Sequence, residues 1–216
     1  MGDEEKLWRR MRRLGIVAVM GLGGPVLLPF AAAFAVPNLA WMTLTVDRRG
    51  ARSWLMASTI TAGIVAALSA TALIRASIDG RADPVAAVAW VGALIGCGCY
   101  ARGMDQWCSE LGWTSAARRW SSASRLMGAA ALTETALLVA AQVSAPAGPR
   151  DGSWVVVDNS GFPVNGWGLA ATVVMWALMV AGLRQMWLAS RSFFVAWRTS
   201  GRSPLRPDDA PLVRSS

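Results

Sequence analysis

The stretch that decides the fold covers residues 14–46 and reads LGIVAVMGLGGPVLLPFAAAFAVPNLAWMTLTV. It carries no charged side chain, and arginine pairs flank it on both sides, Arg12 and Arg13 before it and Arg48 and Arg49 after it. As one straight helix it would measure about 50 Å, whereas the hydrocarbon core of a bilayer is about 30 Å thick. The stretch therefore predicts a chain that enters a membrane and turns back.

The rest of the chain repeats this apolar character. Hydrophobic residues make up 54% of the sequence and charged residues 16%, against about 25% charged residues in a typical soluble domain. Four further apolar segments have lengths at or near those of spanning helices: residues 53–74, 85–101, 126–143 and 167–188. We predict an all-α, polytopic transmembrane helix bundle of about six membrane helices, made of these four spans and a hairpin over 14–46.

Basic residues distinguish two topologies. If residues 14–46 form a hairpin, one side of the membrane holds five basic residues before Leu14, three in 47–52, four in 102–125 and six from Arg184 onward. That side then carries 18 of the 21 basic residues, whereas a single crossing would leave it with eight. The positive-inside rule favours the hairpin, with both termini in the cytoplasm and the bundle in the plasma (inner) membrane. The predicted organisation is a basic N-terminus over 1–13, a hairpin over 14–46, a bundle over 47–197 and a disordered tail over 198–216.

Glycine and proline place the turn of the hairpin, because both break helices where a chain must reverse. The turn residues are Gly23, Gly24, Pro25 and Pro29. Each arm would then hold about 15 residues and measure about 22 Å, so the hairpin is either two short tilted spans or a re-entrant loop. A rival interpretation, a signal peptide cleaved after Ala33-Phe34-Ala35, is disfavoured because it would place the arginines of 47–52 outside.

Glu134 is the only acidic residue in the middle of a predicted span. Helical spacing puts it on one face with Met127, Ala130 and Ala131, and this face of small residues is expected to point into the bundle. Acidic residues at such depth are costly and often functional. The predicted intramembrane polar site comprises Glu134, Thr133, Thr135, Gln142 and Asn38. The alternative is a structural glutamate that is bonded to a neighbouring helix.

Three other patterns indicate contacts rather than chemistry. Small residues recur every four positions at Ser58, Ala62, Ala66 and Ala70, and again at Gly92 and Gly96. This spacing lets helix backbones approach closely, either within the chain or against another subunit. Residues 102–125 form two short amphipathic turns, predicted to lie in the interface as an anchor or to bind a cytosolic partner. The outer loop, 144–166, contains a β-like run over 154–157 and is predicted to cap the bundle.

Composition also excludes several function classes. The chain has no histidine and only three cysteines, of which Cys97 and Cys99 point to different faces of a helix, so we predict no metal and no cofactor. The net charge of +8 is spread over the ends of apolar segments, which disfavours nucleic acid as a partner and favours the lipid bilayer. Phosphate-binding and nucleophile motifs are absent, so an enzyme is not expected.

These features favour one function class and leave a second open. In size and topology the chain resembles small permease subunits or the substrate-capture subunits of vitamin transporters. We predict a transport-related (permease-like) or accessory membrane subunit with a mid-membrane glutamate. The alternative is a structural or interaction subunit of a larger membrane complex, without transport activity of its own.

Overall fold

The structure is a computed structural model that describes residues 3–22, 26–79, 84–144, 166–200 and 204–205. All secondary structure in these residues is helical, as predicted. The six helices are α1 (Asp3–Leu22), α2 (Leu28–Thr45), α3 (Arg49–Asp79), α4 (Pro84–Glu110), α5 (Thr114–Ser144) and α6 (Gly166–Ser200). The β-like run over 154–157 and most of the predicted tail lie outside the described residues.

Four of these helices are long and apolar enough to cross a membrane: α2, α3, α4 and α6. With 31 and 35 residues, α3 and α6 measure about 46 Å and 52 Å, so both exceed the hydrocarbon thickness. The predicted span 126–143 lies in the second half of α5, which is not among the four within the described part of the chain. The chain is therefore consistent with a membrane-embedded helical protein.

The N-terminal hairpin region consists of two helices, α1 and α2. α1 has 20 residues because it begins inside the basic segment at Asp3, so only its part over 14–22 belongs to the predicted first arm, whereas α2 has 18 residues and lies wholly within the hairpin segment. Pro29 lies in the first turn of α2, where proline is tolerated because the first N–H groups of a helix have no intrahelical acceptor. The predicted turn residues Gly23, Gly24 and Pro25 lie outside the described residues.

Each helix packs mainly against its neighbours in sequence, in the order α1 to α6, and α1 makes lighter contacts with α4 and α6. The largest buried side chains gather where the arginine-rich ends of the helices meet, which we call the basic end of the bundle. Trp107, Trp120 and Phe193 are almost completely buried there, together with Leu7 and Met42. Away from this end α3, α4 and α6 expose wide apolar faces, as helices that face lipid do.

The region predicted as an interfacial loop, 102–125, differs from that expectation. α4 continues to Glu110 and α5 begins at Thr114, so only a tight turn separates them. Gly112 takes a positive φ of 76°, and the N–H groups of Gly112 and Trp113 donate to the carbonyl oxygens of Ser109 and Cys108. This is the Schellman arrangement that ends a helix at glycine. The amphipathic faces consequently pack into the bundle, since α5 folds directly back on α4.

Candidate functional site

Glu134 lies on the inner face of α5. Met127, Ala130 and Ala131 on the same face are buried, and Glu134 is half-buried one turn beyond them. The hydroxyls of Thr133 and Thr135 donate to the carbonyl oxygens of Ala129 and Ala131 in their own helix. They therefore have no free proton for Glu134, and its carboxyl group has no hydrogen-bond or ion-pair partner among the residues that the structure describes.

The depth of Glu134 follows from contacts that Met127 makes with two neighbouring helices. The Cα atoms of Gly98 on α4 and Gly182 on α6 both face the Met127 side chain. Seven residues further along α5, in this antiparallel arrangement, Glu134 is level with Val91 on α4 and Met175 on α6. Trp90 on α4 and Trp176 on α6 are next to these two residues in the sequence, and their ring centroids lie 6.1 Å apart. Glu134 thus lies about two helical turns further from the basic end than Met127.

Asn38, the second member of the predicted polar site, is in a different place. It is buried on α2, where its amide group donates to the carbonyl oxygen of Phe34 at 2.8 Å. Its side-chain oxygen accepts a hydrogen bond from Arg10 of α1 at 3.3 Å, and the Arg10 guanidinium lies 4.7 Å from the ring centroid of Trp41. The structure does not bring Asn38 and Glu134 together, since α5 packs against α4 and α6. The Gln142 side chain lies outside the described residues.

The small residues of α3 and α4 face each other. The Ser58 hydroxyl donates to the carbonyl oxygen of Gly96 at 2.9 Å. A Cβ atom at Gly92 would lie 2.9 Å from a side-chain methyl group of Val65, so Val65 packs into the space that glycine leaves free. Ala62, Ala66 and Ala70 continue the row along α3 and are half-buried. The contacts of Ser58, Gly92 and Gly96 are made within the chain.

A narrow cleft of about 90 Å³ runs between α1, α2, α3 and α4. Its walls are almost entirely apolar, and the hydroxyl of Ser58 in them already donates to Gly96. The cleft therefore suits a hydrocarbon group and not a hydrated solute. Glu134 does not line it. The small side chains that form its walls include Ala18, Gly21, Ala32, Ala62, Gly92 and Cys97.

Sequence reasoning missed the aromatic cluster at the basic end. Phe193 contacts Trp107 and Trp113 with ring centroids 5.6 Å and 5.0 Å apart, and Tyr100 meets Trp120 edge-on at 5.5 Å. The indole N–H groups of all three tryptophans are buried and have no hydrogen-bond partner among the described residues. The signal was present in the helical spacing of residues 104–111 and 113–120, which fits a buried face as well as an interfacial one.

Comparisons of the chain with protein-family models, with curated proteins and with solved structures found no match. Within the described residues, histidine, cysteine and acidic side chains also do not gather in groups of three that could hold a metal ion. The functional proposal therefore depends on the fold and on the placement of Glu134.

Proposed function

We propose that this chain is a transport-related or accessory subunit of the plasma membrane, and that Glu134 is its functional side chain. The observation that supports this proposal is the half-buried Glu134 on the inner face of α5, which lacks a partner among the described residues. A carboxyl group in the middle of a membrane span lowers the stability of the protein, so a structural advantage alone does not explain Glu134. A proton, a cation or a basic group of another subunit would compensate for this cost.

The transport form of the proposal assigns Glu134 to a proton- or cation-linked step. Counted along the antiparallel helices from the Met127 contacts, the glutamate is at about the level of Trp90 on α4 and Trp176 on α6. A carboxyl group that alternates between a proton and a cation needs access from both sides of the membrane. We expect that access to require movement of α5 relative to α6, because Glu134 lines neither of the two cavities described in this structure.

The same observation favours the second candidate, a structural or interaction subunit of a larger membrane complex. If Glu134 has no cavity of its own, the partner that satisfies it comes from outside the chain. The exposed stripe of Ile60, Ile64, Ile74 and Ile78 on α3 offers an apolar surface that lipid or a second membrane protein would cover. In this form the chain has no transport activity alone.

One experiment distinguishes these forms. Wild-type protein and the variants Glu134→Gln and Glu110→Gln are purified in a mild detergent, and co-purifying proteins and small molecules are identified by mass spectrometry. Glu110 is the matched control because it lies at the basic end, 3.9 Å from Arg48. Each sample is then reconstituted into vesicles, and proton entry driven by a potassium diffusion potential is followed with a pH-sensitive dye.

The transport form predicts proton entry in the wild type and in Glu110→Gln, and its loss in Glu134→Gln. The interaction form predicts a stoichiometric membrane-protein partner that Glu134→Gln alone releases, with no proton entry in any sample. If Glu134→Gln matches the wild type in both measurements, Glu134 is structural and both forms of the proposal are wrong.

A further inference from the structure

A second cavity, of about 790 Å³, lies at the basic end between the start of α5 and the end of α6. We call it the α5–α6 groove. Two arginines from different helices line it, Arg119 on α5 and Arg191 on α6, with the hydroxyl of Ser115 beside them. Trp8 of α1 and the apolar side chains of Leu188 and Val195 complete its wall. The groove thus combines two cations with an apolar surface.

Arg119 and Arg191 have no carboxylate partner among the residues that the structure describes, and no acidic side chain lines the groove. Three described acids at this end pair with other arginines instead. Glu5 pairs with Arg9, Asp105 with Arg102, and Glu110 with Arg48. Arg191 instead lies over the ring of Trp187, 4.3 Å from its centroid. The groove therefore has a positive potential that an anion would neutralise.

The N-terminus of α5 adds to this potential. α5 begins at Thr114, and the N–H group of Ser115 in its first turn has no intrahelical acceptor. The positive end of the helix dipole lies there, which favours negative charge. By contrast, the hydroxyls of Ser192 and Thr199 donate to the carbonyl oxygens of Leu188 and Val195 in their own helix, so they have no free proton for an anion in the groove.

The two arginines lie at one depth relative to the membrane. Arg125 and Arg184 are the charged residues next to the apolar parts of α5 and α6. Arg119 is six residues beyond Arg125 and Arg191 is seven beyond Arg184, which places both about 10 Å outside the hydrocarbon edge. The polar headgroup layer is about 5–8 Å thick. Because an arginine side chain can reach back along its apolar stem, both guanidinium groups reach the layer of lipid phosphates.

We propose that the α5–α6 groove binds the phosphate of an anionic phospholipid headgroup. Arg119 and Arg191 donate from opposite sides, and planar guanidinium groups suit bidentate contacts to phosphate oxygens. The hydroxyl and the backbone N–H group of Ser115 complete the donor set. The glycerol backbone and the start of an acyl chain of the same lipid lie along Leu188, which stands between Arg191 and the hydrocarbon edge and which a soluble phosphate compound would leave uncovered. This site is independent of Glu134 and of the function proposed for it.

The test measures lipid retention by native mass spectrometry of detergent-purified protein. The probes are phosphatidylglycerol, phosphatidylcholine and inorganic phosphate. The double variant Arg119→Gln/Arg191→Gln is compared with Arg118→Gln/Arg52→Gln, which removes the same charge outside the groove. We expect the groove variant to bind phosphatidylglycerol about 30-fold more weakly, the loss expected for two basic contacts at an anionic surface, and the control to bind like the wild type.

Three results would overturn the proposal: equal phosphatidylglycerol binding in both double variants, equal binding of phosphatidylcholine by the wild type, or displacement of the lipid by millimolar inorganic phosphate. The last result would assign the groove to a soluble phosphate compound. If the double variant fails to fold, the single variants Arg119→Gln and Arg191→Gln replace it. Each is expected to weaken phosphatidylglycerol binding about fivefold.

Discussion

The hydroxyl of Ser58 donates a hydrogen bond of 2.9 Å to the backbone carbonyl oxygen of Gly96, and this bond joins α3 to α4 in the middle of their contact. The carbonyl already accepts within its own helix, so the bond uses its second lone pair. The approach is possible because Gly96 has no side chain and its nearest neighbour across the contact is Thr61. Close backbone contact of this kind replaces hydrophobic burial as the source of stability where lipid surrounds the helices.

Gly92→Ala is expected to destabilise the α3–α4 contact. The new Cβ atom would lie 2.9 Å from Val65, and relieving that overlap costs about 1–3 kcal/mol. The matched control is Gly63→Ala on α3, where no atom lies within 4 Å of the new Cβ and helix propensity favours alanine. Thermal unfolding in detergent should show a lower Tm for Gly92→Ala than for Gly63→Ala. Equal Tm values would mean that the contact at Gly92 yields without cost.

Gly112→Ala is expected to destabilise the turn between α4 and α5. Gly112 has a φ of 76°, a conformation that costs a residue with a side chain about 1–2 kcal/mol. Gly15→Ala is the control, because Gly15 lies within α1 and no atom lies within 4 Å of its new Cβ. Unfolding in detergent should show a loss of stability for Gly112→Ala and none for Gly15→Ala. A stable Gly112→Ala protein would contradict the role assigned to this turn.

Helix positions and inner faces were predictable from the sequence, whereas contacts between distant segments were not. The buried face of Met127, Ala130 and Ala131 follows from helical spacing alone. The hairpin pattern brings α1 against α2, but no local pattern specifies that the side chains of Arg10 and Asn38 meet between them. The amphipathic spacing in 102–125 fits lipid headgroups and a protein core equally well. The turn at Gly112 decides between them, because it returns α5 onto α4 and buries both faces.

Phe193→Ala is expected to destabilise the aromatic cluster at the basic end. Phe193 is completely buried and contacts Trp107 and Trp113, so its truncation should cost about 3–5 kcal/mol. Phe30→Ala makes the same chemical change at a position that is 67% exposed and should have little effect. Chemical unfolding in detergent, followed by tryptophan fluorescence, would measure both. A similar loss in the two variants would show that the cluster is not the main core.

The hairpin topology predicts opposite accessibility for the two ends of α3. Ser53 and Ser77 are both exposed, Ser53 near the arginines that begin α3 and Ser77 near its other end. By the positive-inside rule, Ser53 should face the cytoplasm and Ser77 the exterior. In a background with Cys97, Cys99 and Cys108 replaced by serine, Ser77→Cys should react with a membrane-impermeant maleimide in intact cells. Ser53→Cys should react only after the membrane is permeabilised. If Ser53→Cys reacts in intact cells instead, residues 14–46 cross the membrane once and the hairpin prediction is wrong.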